Sequence, residues 1–158
     1  MESGRKHFLD ARIPPPVIEL AAALLMWGAA RAWPGLRMDL PGRTQVAVAV
    51  ALAGIAMAIA GIVEFRRART TVNPLRPERS SALVDSGAYR FTRNPMYLGM
   101  AIVLAGWAIW LGSAPALLVL PFFVAYLTRF QILAEERALQ ARFGDAFRAY
   151  RRRVRRWL

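Results

Sequence analysis

Residues 45–63 read QVAVAVALAGIAMAIAGIV, a run without a single charged side chain. A helix of about 20 apolar residues is long enough to cross a bilayer. Three more apolar segments occupy residues 17–33, 96–111 and 116–133. The turn signal Gly112-Ser113-Ala114-Pro115 joins the last two into a helical hairpin. The sequence therefore predicts one all-α, integral membrane helical bundle over residues 1–158, with about four transmembrane helices.

The composition narrows the class of protein further. The chain is 56% hydrophobic yet carries 22 Lys and Arg against 10 Asp and Glu. The basic residues lie outside the apolar segments, which favours membrane flanks over a nucleic-acid-binding surface. Cysteine is absent and His7 is the only histidine, so we expect no metal site and no nucleic-acid partner. Residues 1–16 are polar and show no cleavable signal peptide.

Arginine placement predicts the orientation in the membrane. A loop over residues 64–95 and a tail over residues 134–158 are rich in arginine, whereas the turn between the third and fourth segments has no charge. By the positive-inside rule, the loop and the tail face the cytoplasm. The Arg-rich, Lys-poor composition is typical of a high-GC bacterium, and hence of an inner membrane. The first hairpin is oriented less firmly, because Arg31, Arg37 and Arg43 in its loop rival Arg5, Lys6 and Arg12 before it.

Two segments have patterns that predict their surroundings. Small residues recur throughout 45–63 and favour close helix packing, which predicts an interior helix. In the tail, apolar residues recur every three or four positions among arginines, which predicts an amphipathic helix in the headgroup layer. Gly144-Asp145 is expected to interrupt that helix. Its apolar positions are Leu139, Phe143, Phe147, Tyr150, Val154 and Trp157.

Two places carry residues suited to chemistry. Asn94 and Pro95 suit the N-cap and first turn of a helix, but this does not explain the nearby tyrosines and arginines. The adjacent Glu135 and Glu136 are costly at a lipid boundary unless they are exposed or paired. On an α-helix, Glu136 shares a face with Arg129, and Glu135 shares one with Gln131. The spacing leaves open an Arg129–Glu136 ion pair or a carboxylate that binds a ligand in a polar cavity.

Two motifs in the second half of the chain resemble those of a known family. The first is Gly87-x-Tyr89-x-Phe91-x-Arg93-Asn94-Pro95-x-Tyr97-x-Gly99. The second is Glu135-Glu136-x-x-Leu139-x-x-x-Phe143-Gly144-x-x-Phe147-x-x-Tyr150. In this order they resemble the isoprenylcysteine carboxyl methyltransferase family. That family belongs to a wider group of integral-membrane methyltransferases that includes phospholipid N-methyltransferases. The resemblance covers about residues 70–154, over half of the chain.

The resemblance implies S-adenosylmethionine as the methyl donor. The residues that would contact it are Ser81, Ala82, Leu83, Val84, Tyr89, Asn94, Pro95, Met96, Tyr97 and Glu135. The catalytic candidates are Arg93, Arg129 and Glu136. The two arginines are candidates for binding an acidic group of the acceptor or the donor. Glu136 is the candidate base for an amine or hydroxyl acceptor.

Two departures from the family pattern bear on the acceptor. Asn94 stands where eukaryotic members have a histidine, and an amide does not titrate as a base. Gln131 stands where the prenylcysteine enzymes have an arginine associated with substrate, which weakens the case for a prenylated cysteine carboxylate. The acceptor therefore stays open between lipophilic and small carboxylates, thiols and amines. The sequence does not predict an oligomeric state.

The sequence leaves two hypotheses besides an enzyme. A membrane scaffold or ligand sensor could keep the fold without turnover, and the departures at Asn94 and Gln131 keep this reading open. A transporter would need a polar track through the spans, and the apolar segments show none.

Overall fold

The computed structural model describes residues 13–69 and 81–158. His7, the basic residues Arg5, Lys6 and Arg12, and positions 70–80 of the predicted cytosolic loop lie outside the described residues.

The described chain is almost entirely helical, and no strand forms within it. The first three helices are α1 (Pro15–Ala32), α2 (Arg43–Arg67) and α3 (Pro95–Leu111). A near-continuous helical run follows, made of α4 (Ala114–Leu117), α5 (Val119–Tyr126), a π-helical turn (Leu127–Ile132) and α6 (Leu133–Arg153). Short 3-10 turns lie at Pro34–Leu36 and Gly87–Arg90. The prediction of an all-α fold is confirmed.

The apolar segments fall within these helices. By length and composition, α2 and the run from Ala114 to Arg153 suffice to cross a membrane, and α3 is a shorter apolar helix. Pro95 occupies the first position of α3, as its fixed φ favours. Asn94 holds the N-cap position, but its side chain does not cap the helix. Gly112 ends α3 with a φ of 60°, a left-handed conformation that glycine adopts without steric cost.

Helices α2 and α3 pack with their backbones in contact. A Cβ atom built on Gly99 would lie 2.5 Å from the carbonyl oxygen of Gly54. Small residues therefore serve the close approach that the sequence predicts. The other face of α2 is exposed, with Leu52 at 59% and Ile59 at 54% exposure. Within the described residues α2 is thus packed on one side, and the prediction of an interior helix is wrong for its other side.

Two apolar clusters stabilise the bundle. The larger joins α1, α3, α5 and the π-helical turn around Met26, Leu104 and Leu127. The smaller joins α6 to the loop before α3 through Val84, Tyr89, Phe147, Tyr150 and Val154. The apolar face of the tail helix therefore packs on protein. Gly144 breaks the helical geometry of α6, with φ 51° and ψ −118°, where an interruption is expected.

Candidate active site

One cavity lies where the loop over 82–94, the start of α3 and the first half of α6 meet. It encloses about 70 Å³. Most predicted donor contacts and two of the three catalytic candidates line it together: Ala82, Leu83, Val84, Tyr89, Arg93, Asn94, Met96, Tyr97, Glu135 and Glu136. The two motifs, far apart in sequence, thus form one surface.

Three predicted site residues lie outside the cavity wall. The Ser81 hydroxyl donates to the carbonyl oxygen of Arg69. Pro95 lies against α2, where a Cβ atom on Gly61 would come within 3.1 Å of its ring. Arg129 is exposed, and its guanidinium carbon lies 5.2 Å from the centroid of the Phe130 ring. Within the described residues, these three therefore do not line the cavity.

Glu135 is held by hydrogen bonds from two side chains. The Tyr97 hydroxyl donates to its Oε1 atom, and the Gln131 amide donates to the same atom at 3.1 Å. Gln131 is only 2% exposed, so this contact with Glu135 is shielded from solvent. The i,i+4 relation between these two residues is the one predicted from sequence. Gln131 therefore helps to orient the carboxylate of Glu135.

Glu136 pairs with two arginines. Arg156 donates from Nε to Oε1 at 3.0 Å and from Nη2 to Oε2 at 2.8 Å, and Arg93 Nη1 lies 3.1 Å from Oε1. The hydrogen bond to Glu136 raises the pKa of Arg156. Burial lowers the pKa of Arg93, and the Glu136 charge opposes that shift. The hypothesis of an Arg129–Glu136 ion pair assumes regular α-helical spacing between the two residues. In the structure Arg129 lies within a π-helical turn, which changes that spacing.

Residues after α6 fold back onto the start of α3. The Arg93 amide donates to the Arg155 carbonyl at 2.9 Å. The Asn94 side-chain amide donates to the Arg156 carbonyl at 2.9 Å, and the Thr92 hydroxyl donates to the same oxygen at 3.2 Å. Asn94 thus holds the chain that carries Arg156, which sequence reasoning did not anticipate.

Comparison with known proteins identifies the family. The phospholipid methyltransferase family matches residues 43–146, more than half of the chain. The chain belongs to this family. An uncharacterized protein of Haemophilus influenzae is 43% identical over 63 residues, which cover 40% of this chain and 100% of that protein. No solved structure matches the chain.

Family membership confirms the wider group of membrane methyltransferases that the motifs resemble, while the isoprenylcysteine carboxyl subgroup stays a prediction. It implies methyltransferase activity on substrates of the membrane-lipid type. The apolar helices, together with this family, indicate a membrane protein. Across the described residues, no group of three or more metal-ligating side chains lies together.

Sequence reasoning missed one buried carboxylate near the candidate site. Glu64, near the end of α2, is only 8% exposed and accepts hydrogen bonds from Ser86 and, at 3.0 Å, from Arg67. Its neighbour Phe65 meets Tyr89 edge to face, with ring centroids 5.4 Å apart. An Arg-Arg pair after an acidic residue reads as an ordinary basic flank. The hydrogen bond from Ser86, 22 residues later in the chain, identifies Glu64 as the residue that anchors the loop.

This anchor predicts a matched pair of substitutions. Gly87 has a φ of 53°, and a Cβ there would lie 2.5 Å from Cδ of Glu64; Gly144 has a φ of 51° with nothing within 4 Å. Both changes place alanine at a positive φ, but only Gly87→Ala also pushes against the Glu64 side chain that holds the loop. We expect Gly87→Ala to weaken ligand binding roughly 10-fold or more, as for a loss of about 1.4 kcal/mol, and Gly144→Ala to leave it near wild type. Calorimetry in detergent checks this, and equal losses would contradict the anchor.

The side chains that line the cavity match the chemical groups of S-adenosylmethionine, but the cavity is too small to hold this molecule. Glu135 offers a carboxylate for an ammonium, Arg93 offers a guanidinium for a carboxylate, and aromatic and aliphatic side chains offer a wall for a purine. Pockets that hold small molecules enclose roughly 300–1,000 Å³. A cavity of about 70 Å³ would therefore have to widen to hold this donor.

Proposed function

We propose that this methyltransferase uses S-adenosylmethionine to methylate a lipophilic acceptor at the cytoplasmic face of the membrane. The observation that supports the proposal is the cavity, whose wall includes two groups of opposite charge, the guanidinium of Arg93 and the carboxylate of Glu135. The amino acid end of the donor is a zwitterion, and it needs both signs of charge in one place. Family membership supports a lipid-type acceptor.

The same proposal includes a topology. Four spans, within residues 17–33, 45–63, 96–111 and 116–133, would place the loop over 64–95 and the tail over 134–158 in the cytoplasm, as arginine placement predicts. The cavity lies between that loop and the start of α6. A charged donor would then enter from water, while an apolar acceptor would enter from lipid. The whole chain would act as one domain of a multi-pass inner-membrane protein.

When bound, S-adenosylmethionine supplies a methyl group on a sulfonium. The acceptor nucleophile forms a bond to the methyl carbon in line as the carbon–sulfur bond breaks, so the main task of the protein is orientation. Tyr97 and Gln131 fix the carboxylate of Glu135, which would hold the donor ammonium. Arg93 would hold the donor carboxylate or an acidic group of the acceptor.

The second carboxylate has a different task in this proposal. A carboxylate or thiolate acceptor needs no base, whereas an amine or hydroxyl acceptor must lose a proton. Both oxygens of Glu136 receive hydrogen bonds from Arg156. We therefore assign Glu136 to holding the arginines in place. Arg129, exposed beside Phe130, receives no role at the donor.

Donor binding tests this proposal through two arginines of the same loop. Arg93 lines the cavity, while Arg90 is exposed beside it. Losing a charged hydrogen bond costs about 1.5–3 kcal/mol, so Arg93→Ala should weaken S-adenosylmethionine binding roughly 10- to 100-fold. Arg90→Ala should bind as the wild type does. Calorimetry in detergent measures both, and a wild type that does not bind the donor would overturn the proposal.

A further inference from the structure

Two guanidinium groups share one carboxylate beside the cavity. The side chains of Glu136, Arg93 and Arg156 are 8%, 11% and 29% exposed, so little solvent screens them. Arg156 meets the carboxylate as a fork, with one nitrogen on each oxygen. Such bidentate contacts are among the strongest in proteins and fix the geometry of both partners. Glu136 is thus satisfied by Arg156 alone.

Arg93 is close to the same carboxylate but is not satisfied by it. Its Nη1 atom lies 3.1 Å from Oε1 of Glu136, within range of an ion pair. Nevertheless Nε and Nη1 are buried and have no hydrogen-bond partner within the described part of the chain. Buried donors without partners cost free energy. The cluster of Glu136, Arg93 and Arg156 therefore carries one net positive charge, and Arg93 keeps two donor atoms that Glu136 does not satisfy.

We propose that Arg156 is a positioning residue: by occupying both oxygens of Glu136, it keeps Arg93 available to bind a carboxylate or phosphate group of a ligand in the cavity. Without Arg156, Glu136 would draw Arg93 into the fork that Arg156 now makes. The pair would then be neutral and its donors would be used. The inference rests on the proposed function, and it assigns to Arg156 the control of how tightly the cavity binds an anionic group.

The position of Arg156 is built into the fold. The helix α6 ends at Arg153, and the backbone of Val154, its C-cap, is extended, with φ −123° and ψ 132°. The Arg155 and Arg156 carbonyls accept from Arg93, Thr92 and Asn94, as described above. The Trp157 indole then donates to the Thr128 hydroxyl at 3.0 Å. Contacts on both sides of Arg156 thus aim its side chain at Glu136.

The test measures binding in the full chain, in detergent, by calorimetry. Arg156→Ala should weaken binding of a probe that carries the recognised carboxylate or phosphate at least 10-fold. Arg152→Ala, which changes an exposed arginine of the same tail, is the control. The decisive variant is the double change Arg156→Ala with Glu136→Gln. Since the amide no longer competes for Arg93, binding should return to within about threefold of wild type.

Three probes distinguish the two sources of the anionic group. S-adenosylmethionine compared with its decarboxylated form tests the donor carboxylate, and lysophosphatidylethanolamine tests a lipid phosphate. The probe whose affinity falls and is rescued identifies the group that Arg93 binds. A merely structural role of Arg156 would weaken all probes alike, and the double variant would bind no better than Arg156→Ala.

The outcomes separate this inference from the proposed function. Donor binding by the wild type with no effect of Arg156→Ala, or with no rescue, overturns the positioning role alone. A wild type that binds none of the probes overturns both. Thermal unfolding of each variant shows whether it is folded, and Arg156→Lys, which keeps the charge without the fork, should fall between wild type and alanine.

Discussion

Replacing Glu135 by glutamine is expected to reduce methyl transfer roughly 100-fold, since losing a charged partner costs up to about 3 kcal/mol. The substitution keeps the size of the side chain but removes the negative charge that would hold the donor ammonium. It also gives the Tyr97 hydroxyl and the Gln131 amide a poorer acceptor. Both binding and orientation of the donor should therefore suffer, which raises KM and lowers kcat together.

A matched change elsewhere in the same helix provides the control. Asp145 lies beyond the Gly144 break, with its side chain 90% exposed and paired with Arg148. Asp145→Asn makes the same acid-to-amide change away from the cavity and should retain activity. Tyr97→Phe keeps the ring but removes the donor to Glu135, and should show an intermediate loss. Wild-type activity in Glu135→Gln would contradict the role given to this carboxylate.

Replacing Gly99 by alanine is expected to destabilise the bundle strongly. Its Cβ would lie 2.5 Å from the carbonyl oxygen of Gly54 and 2.7 Å from the amide nitrogen of Ala58, both of them backbone atoms. Since backbone cannot rotate away as a side chain does, α2 and α3 would have to separate. Overpacking a close contact costs about 1–3 kcal/mol.

Gly28 in α1 offers the same substitution without the clash, because nothing lies within 4 Å of a Cβ built there. Alanine favours a helix over glycine by up to about 1 kcal/mol, so Gly28→Ala should be neutral or stabilising. Thermal unfolding in detergent compares the two proteins. If Gly99→Ala unfolds at the temperature of Gly28→Ala, the backbone contact between α2 and α3 is not formed.

The sequence predicts what depends on local pattern. Long apolar runs predict the helices, and the glycine and proline signals around 112–115 predict the turn between α3 and α4. The pairing of Gln131 with Glu135 follows from i,i+4 spacing on one helix. Only the family resemblance predicts that Tyr97 and Glu135 lie in the same site. The sequence spacing of the two motifs does not predict a contact between two separate helices.

The sequence does not predict features that depend on contacts between distant segments. Arg156 reads as one more basic residue of the tail, and its role emerges only where the chain leaves α6 and returns to Thr92 and Asn94. Arg129 shares a helical face with Glu136 only in a regular α-helix, and the π-helical turn over Leu127–Ile132 removes that regularity. The acidic Glu64 gains its role from Gly87, whose missing side chain leaves room for it.

The central claim is that this cavity transfers a methyl group from S-adenosylmethionine to a membrane lipid. The most direct measurement incubates the purified protein with radiolabelled donor and a lipid extract, and identifies the labelled product by mass. We expect label in a lipid with wild-type protein, and roughly 100-fold less with Glu135→Gln. Donor binding without any labelled product from lipid or small-molecule extracts would contradict it, and would favour a ligand sensor that keeps the methyltransferase fold.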